Sequence, residues 1–316
     1  MERLATRVIV VHHDRPTAAV ATVAAFCGQE VPVQVVVVDS GSTPAALDEL
    51  RATLPSEVEV LALSANVGFG PGANAALRRW LADPDGGQWA AVAPHDAGPQ
   101  PGCLERIVTE LAARPCAALA SAEYGPGEDF RPTVDKFFGG SFVPALRGDG
   151  WEPVDYPHGT LLVLRRRAAR EIGLFDERFF AYCEEADLGI RARAQGWEVG
   201  LVWGAVVANG RPPRADVARY LQLRNTLLLL EKHFGHGPVA ARLAWELGVL
   251  ATGRVGPTTG VGLGGGERGG DERRAVRHAS LLAIRDYLLR RFGAPPPDLV
   301  GPPFPRLWGM TRAACP

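Results

Sequence analysis

Residues 33–50, VQVVVVDSGSTPAALDEL, read as a strand, a polar turn and a helix in direct succession. Val35 to Val38 are β-branched without polar alternation, the pattern of a strand covered on both faces. Asp39-Ser40-Gly41-Ser42-Thr43 then supplies turn chemistry, and residues 44–53 take helical spacing. The same succession extends outward in both directions. Strand-like runs stand at 7–11 (RVIVV), 58–63 (VEVLAL), 89–93 (WAAVA) and 116–121 (CAALAS), with helical stretches at 17–27, 71–82 and 103–113. Strands alternating with helices predict an α/β fold, a mostly parallel sheet sandwiched by helices.

Beyond residue 121 the rhythm breaks. Residues 122–157 read as irregular, with Gly-Pro turns and scattered aromatics such as Phe137, Phe138 and Trp151. A strand follows at 160–164 (TLLVL), then a helix (RRRAAREIG), an acidic motif and apolar strands through 199–207 (VGLVWGAVV). The expected division is a catalytic domain over 1–210, with a donor half 1–125 and an acceptor half 126–210, and a helical extension over 211–316. In that extension Tyr220, Leu223, Leu227, Leu230 and Phe234 share a helical face, as do Val239, Leu243, Leu247 and Leu250, and Leu281, Ile284, Leu288 and Phe292. Residues 253–272 hold nine glycines in twenty and are expected to form a mobile loop. The stretch APPPDLVGPPFP (294–305) is expected to be extended.

With 316 residues, 47% hydrophobic and 22% charged, the composition is that of a soluble globular protein. The five cysteines (27, 103, 116, 183 and 315) are odd in number, widely spaced and without a CxxC pair, which argues against a disulfide framework and a zinc site. A cytoplasmic setting is expected. MERLATRVIVVHHD reads as a first strand and not a signal peptide, and no apolar run approaches the roughly 18 residues of a spanning helix. Charge is uneven: residues 1–210 carry 18 Lys plus Arg against 27 Asp plus Glu, and residues 211–316 carry 16 against 8. The basic end can face anionic lipid at the inner side of a membrane, an acidic partner, or the acidic part of its own chain. No nucleic-acid partner is expected, and a homodimer is left open.

In an open parallel sheet, ligands gather beyond the carboxyl ends of the strands. His12, His13 and Asp14 follow the first strand; Asp39, Ser40, Gly41 and Ser42 the second; Asn66, Gly68, Gly70, Gly72 and Asn74 the third; His95 and Asp96 the fourth. Each set alone is an ordinary turn or cap, but four polar edges in one plane point to a ligand. The first turn, HHDRPT, lacks GxGxxG, and GxxxxGK[ST] is absent, so dinucleotide and P-loop sites are excluded. In FFAYCEEADLGIR (179–191), Glu184, Glu185 and Asp187 open a helix, which by itself complements the helix dipole. Helical spacing puts Glu184, Asp187 and Arg191 on one face and turns Glu185 roughly 100° from Glu184.

The ordered set VIVVHHDRP, VVVVDSGST, NVGFGPGAN, PHDAGPQPG, HGTLLVLRR and IGLFDERFFAYCEEADLGIRARAQGW resembles the inverting glycosyltransferases of family 2, with the GT-A fold, in their rhamnosyltransferase-like branch, over about residues 6–234. The resemblance implies a glycosyltransferase taking a UDP- or dTDP-sugar as donor and a hydroxyl of a small-molecule, lipid-linked or glycan acceptor. It puts Asp39 on the pyrimidine with Ser40 and Gly41 in the same turn, His12 and His13 beside the base, and Asn66, Gly68, Gly72 and Asn74 near ribose and diphosphate. Asp96, with His95 before it, takes the place of the residue that holds Mg2+ or Mn2+. Glu185 takes the place of the base, with Glu184 able to share the role and Asp187 paired to Arg191. One departure stands out: the family's histidine after the catalytic helix is replaced by Ala208-Asn209, leaving Arg211 or Arg224 to supply positive charge to the diphosphate. A nucleotide-sugar-binding protein of this fold that has lost catalysis is the alternative.

Overall fold

Proline opens the first two helices and valine fills the first two strands. In a computed structural model, which describes residues 5–125, 129–210, 214–252 and 270–300, the chain runs β1 (Thr6–His12), α1 (Pro16–Cys27), β2 (Val33–Ser40), α2 (Pro44–Thr53), β3 (Glu59–Leu63), α3 (Phe69–Ala82) and β4 (Trp89–Pro94). A short β5 (Ala97–Pro99) precedes α4 (Cys103–Ala113) and β6 (Ala117–Tyr124). Then come β7 (Phe130–Asp135), β8 (Gly139–Pro144), β9 (Gly150–Pro153), β10 (Leu162–Arg165), α5 (Arg166–Ile172), α6 (Glu184–Ala194) and β11 (Glu198–Asn209). Helices α7 (Ala215–Phe234), α8 (His236–Ala251), α9 (Gly270–Leu288) and the single turn α10 (Pro297–Val300) follow. Pro16 and Pro44 preset the helical backbone angle at the first positions of α1 and α2, and the Thr43 hydroxyl caps α2 by accepting the Ala46 N–H.

The main sheet runs β3-β2-β1-β4-β10-β6-β11-β5, with β9 also paired to β11. β1, β2, β3 and β4 are mutually parallel, as are β6 and β11; β10 is antiparallel between the two groups. Successive side chains of a strand face opposite sides, so Val8, Val10, Val35 and Val37 pack with Ala19 of α1, Leu50 of α2 and Ile107 of α4. Ile9, Val11, Val36 and Val38 pack on the other side with Leu77 and Trp80 of α3, Ala168 of α5 and Leu188 of α6. Burial on both faces is why these strands carry no polar alternation.

Two expectations need correction. The described residues of 122–157 are not irregular: β7 and β8 form an antiparallel hairpin, and β9 adds to the main sheet along β11. Their partly exposed residues, interrupted by Pro132 and several glycines, give no continuous pattern, and pairing supplies the order. Within the tail expected to be extended, Pro297 starts the one-turn α10. The glycine-rich stretch lies outside the described residues from 253 to 269, as does Arg211.

Helix α7 is buried nearly all round, the pattern of a helix enclosed by protein. Tyr220, Leu223, Leu227 and Leu230 pack with Val239 of α8 and Ala279, Leu282 and Ala283 of α9. On its other side Leu228 and Leu229 meet Tyr156, Phe179 and Ala186. The helix is therefore wedged between the carboxyl-terminal helices and the acidic start of α6. Among the described residues no helix is long and apolar enough to cross a membrane.

Candidate active site

β1 and β2 end side by side, with His12 in register with Asp39. Both are buried, and His12 Nδ1 stands 2.8 Å from Asp39 Oδ1. The Arg15 N–H donates to His12 Nε2 at 3.0 Å, so the ring proton belongs on Nδ1 and is donated to Asp39. Burial pulls the His12 pKa down against the opposing pull of Asp39, which keeps the ring neutral. Asp39 also accepts the Ser42 hydroxyl and, at 3.2 Å, the Ser42 N–H. The aspartate expected on the base is thus a hub that ties β1 to the turn after β2. His13 is partly exposed and donates from Nδ1 to the Ser40 carbonyl at 2.9 Å. Ser40 Oγ accepts the Val67 N–H at 3.0 Å and donates to Asn66 Oδ1 at 3.3 Å. Gly41 has φ of +64°, and a Cβ there would strike the backbone of Ala65.

The glycine turn before α3 also faces protein. At Gly68, φ is +93° and a Cβ would collide with the Phe180 carbonyl, to which the Phe69 N–H donates at 2.7 Å. A Cβ at Gly70 would lie 3.2 Å from Phe175 Cβ and 3.4 Å from Glu184 Cβ, and one at Gly72 would lie 3.1 Å from Val11. At Gly68 and Gly70 the close approach is to the segment carrying the acids, and at Gly72 it is between α3 and β1. Asn74 is a fastening in the same joint: its amide donates to the Phe175 carbonyl at 2.9 Å and its oxygen accepts the Phe175 N–H at 3.1 Å. The structure does not bring Asn74 to the strand-end cleft.

Tyr182 and Cys183 have φ of +70° and +73°, a left-handed conformation that residues other than glycine rarely adopt. Two such residues in a row redirect the chain into α6. Asn225 of α7 holds them, its amide donating to the carbonyls of Ala181 at 2.8 Å and Tyr182 at 2.9 Å. No side chain caps α6. Burial, with the Glu185 charge beside it, pushes the Glu184 carboxyl well above its usual range, and burial lifts Glu185 to about 7. Oε2 of each is buried without a hydrogen-bond partner among the described residues. The two diverge, as helical spacing predicts: Glu184 lies against Gly70 and Glu185 against Gly159, where a Cβ would come within 3.2 Å of Oε1. Asp187 is fully buried and accepts from Arg191 Nε at 2.9 Å, His233 Nε2 at 2.7 Å and Lys232 Nζ at 2.6 Å. Burial alone would raise its pKa; these donors hold it below the ordinary aspartate value.

Past β4, the His95 N–H donates to Val11 and its carbonyl accepts the Thr22 hydroxyl at 2.7 Å. Its ring stands edge-on to His12 at 5.9 Å, and burial, with His12 nearby, takes its pKa down to about 4, so it is neutral. The Asp96 carboxylate has no side-chain hydrogen-bond partner among the described residues, and burial raises its pKa. The end of β11 meets it: Asn209 is in register with Ala97, and a Cβ on Gly210 would sit 2.7 Å from Asp96 Oδ2. The Tyr182 hydroxyl is pushed up by burial and then by the charges of Glu184, Glu185 and Asp96. Among the described residues no group of three or more His, Cys, Asp or Glu could hold a metal ion. Arg224 is turned away from this site: it is buried in the helical layer and donates to Asn225 Oδ1, the Tyr220 hydroxyl and the Gly293 carbonyl.

Sequence reasoning missed several neighbours. His158, just before Gly159, packs its ring 5.2 Å from Tyr124 and 5.1 Å from Phe142. The Thr160 N–H donates to its Nδ1, and burial takes its pKa to about 4. The only local signal was His-Gly at a strand entrance. Asn225, Lys232 and His233 gave none, since the helical spacing of α7 does not say which distant segment its polar residues meet. Asn225→Ala is expected to lower stability by about 1–3 kcal/mol, because two carbonyls lose their donors, and to slow any transfer while donor affinity stays unchanged. Thermal melts beside transfer and titration assays check it; unaltered transfer would mean the left-handed pair holds itself.

The family described as glycosyl transferase family 2 matches residues 7–173. The N-acetylglucosaminyl-diphospho-decaprenol L-rhamnosyltransferase of Mycobacterium tuberculosis is 28% identical over 256 residues, 69% of this chain and 80% of that protein. The low-salt glycan biosynthesis hexosyltransferase Agl10 of Haloferax volcanii is 30% identical over 95 residues, 27% of this chain. Among solved structures, the mannosyltransferase PcManGT from Pyrobaculum calidifontis, in complex with GDP-Man and Mn2+, has a TM-score of 0.56 at 15% identity, covering 92% of this chain and 89% of that one. GalNAc-T7 with UDP, GalNAc and Mn2+ has a TM-score of 0.59 at 15% identity over 80% of this chain, which spans 55% of that protein. These two likenesses carry the fold.

Proposed function

The chain belongs to glycosyl transferase family 2 and is a glycosyltransferase of the GT-A fold, and from that premise we propose that it is an inverting enzyme that moves a sugar from a UDP- or dTDP-sugar to a hydroxyl of a lipid-linked or glycan acceptor. The observation that carries this reading is Glu185, a carboxylate with a pKa near 7 whose Oε2 has no hydrogen-bond partner among the described residues and whose Oε1 lies where a Cβ on Gly159 would crowd it. Inversion needs one base. Glu185 takes the proton of the acceptor hydroxyl as that oxygen bonds to the anomeric carbon, while the bond from that carbon to the diphosphate breaks on the opposite side. Burial, with the Glu185 charge beside it, raises the Glu184 carboxyl well above its usual range, and its side chain lies against Gly70, away from Gly159. The lipid-linked acceptor is suggested by the name of the mycobacterial relative, which specifies N-acetylglucosaminyl-diphospho-decaprenol.

Asp96 suits a Mg2+ or Mn2+ ion of the kind held by one carboxylate and the substrate's own phosphate oxygens. Its carboxylate is half-buried and without a side-chain partner, a condition that a cation relieves, and the exposed Asn209 offers a neutral oxygen nearby. When bound, such an ion neutralises charge on the departing diphosphate. Asp96→Asn is accordingly expected to weaken nucleotide-sugar binding in the presence of Mg2+ or Mn2+ and to abolish the metal's effect on it; identical metal-dependent titrations of mutant and parent by calorimetry would remove Asp96 from this role.

A second reading, a nucleotide-sugar-binding protein without catalysis, draws on Ala208-Asn209 at the end of β11, where the resemblance leads one to expect a histidine. Slow release of nucleotide diphosphate from UDP- or dTDP-sugars without acceptor, and faster release when a polyprenyl-diphosphate-linked saccharide is added, supports the enzyme. Binding of the sugar nucleotide without either release favours the second reading.

A further inference from the structure

Helix α8 buries its charges beside its apolar contacts Val239 and Leu250. Its only Lys, Arg, Asp or Glu residues, Arg242 and Glu246, are buried and paired at 2.8 Å, with Arg219 of α7 joining them. The residues it turns to solvent include Ala241, Ala244, Leu247, Gly248 and Ala251, and Leu247 is 51% exposed. An exposed helix ordinarily shows the opposite pattern, and a buried charge cluster contributes little to stability, so the fold alone does not account for the arrangement.

Two neighbours extend this face. At the turn between β7 and β8, Phe137 and Phe138 pack against Trp245 of α8, with the Arg242 guanidinium over all three rings at 5.0–5.3 Å. Lys136 beside them is exposed. The same hairpin carries Phe142 to His158, next to the Gly159 that faces Glu185. On the other flank, Arg277 of α9 donates to the Leu250 carbonyl at the end of α8. From there α9 exposes Arg273, Arg274, Arg277 and Arg285 around Leu281, which is 53% exposed, and ends in Leu288 and Leu289 before Arg290 and Arg291.

We propose that α8, the β7–β8 turn and the arginine side of α9 form a seat for an anionic bilayer surface. An apolar face bordered by arginines is what an interfacial helix presents to lipid headgroups and the upper acyl chains. A second copy of the chain is a poorer occupant, since a two-fold contact through this face would bring the arginines of α9 toward their own counterparts. For the acceptor the inference rests on the proposed function, because a bilayer on this face would offer a lipid-linked acceptor along the hairpin that leads to Glu185; the seat itself does not depend on it.

Co-sedimentation of the full chain, without donor, with vesicles of phosphatidylcholine alone or mixed with phosphatidylglycerol tests the seat. The chain is expected to pellet with the mixed vesicles at low salt, to leave them as salt rises, and to stay in solution with phosphatidylcholine alone. Leu247→Glu with Leu281→Glu should weaken vesicle binding by at least about tenfold, and each of Arg273→Ser and Arg274→Ser by about fivefold. Acceptor-independent hydrolysis of the sugar nucleotide should be unchanged in all of them, which separates a failed seat from a failed enzyme. Failure to bind mixed vesicles overturns the proposal. So does a parent that sediments as a dimer and becomes monomeric with Leu247→Glu, which would assign the face to a second copy.

Discussion

Glutamine at position 185 is expected to slow sugar transfer by about 10²- to 10⁴-fold, the usual contribution of a general base, with donor affinity unchanged. The amide keeps the shape of the carboxyl and cannot receive the acceptor's proton. The pH profile carries the same signature. Because burial lifts the Glu185 carboxyl to about 7, the base is protonated below that pH, and the parental rate should fall about tenfold per unit on the acid side and level off above it. Glu184→Gln is the contrasting variant. Glu184 lies against Gly70 while Glu185 lies against Gly159, and burial with the Glu185 charge raises its carboxyl well above the usual range, so its glutamine variant should leave the rate within a few-fold. An inactive Glu184→Gln beside an active Glu185→Gln would transfer the base to Glu184; parental rates in both would leave these acids as partners of the α6 dipole. Raised carboxyl pKa values also set the sign of a stability effect: these groups favour the fold most below their unfolded values, about 4.3, and that contribution is lost as pH rises through about 7 for Glu185.

Asp187→Ala is expected to lower stability by about 3–5 kcal/mol, the usual cost of removing one partner of a buried ion pair, or less where Arg191 keeps the Ile172 and Leu174 carbonyls and Lys232 keeps Asp176. The carboxylate joins Arg191 on its own helix to Lys232 and His233 at the end of α7, so its loss loosens α6 from the helix behind it. Its pKa is depressed in the folded state; the stabilisation is present above the ordinary aspartate value of about 3.9 and disappears as pH falls through the lower folded value. Urea unfolding at neutral pH should show the full difference between parent and mutant, and the two curves should converge in strong acid. A mutant as stable as the parent at neutral pH would mean that packing alone fixes α6.

What could be read from the sequence was local. The valine runs, the first helices and the divergence of Glu184 from Glu185 depend on neighbours a few residues away, and the structure has them close to where the pattern put them. The side of a polar turn that meets protein depends on distant partners. Asp39 is engaged by His12 from 27 residues away, and Asn74 by Phe175 from 101 away. Gly68 avoids the carbonyl of Phe180 where a ligand was expected to approach. Arg224 misled for a different reason: α7 is buried nearly all round, so its polar residues meet other helices, and Arg224 turns to Tyr220 and the Gly293 carbonyl. The β7–β8 hairpin and β9 went unseen because half-exposed strands of mixed composition are specified by pairing and not by their own pattern.

The joint between α7 and the segment before α6 bears on how the molecule can be cut or recombined. Asn225 reaches back across more than forty positions to hold two residues in a backbone shape that they would not keep unaided, and Lys232 and His233 grip Asp187 from the same helix. Ending the chain near residue 210, where composition suggests a module could stop, would remove every one of these fastenings at once. A hybrid that borrows its last helices from a relative must therefore borrow residues 180–187 from the same parent, since the two segments form one mechanical part despite their separation in the chain.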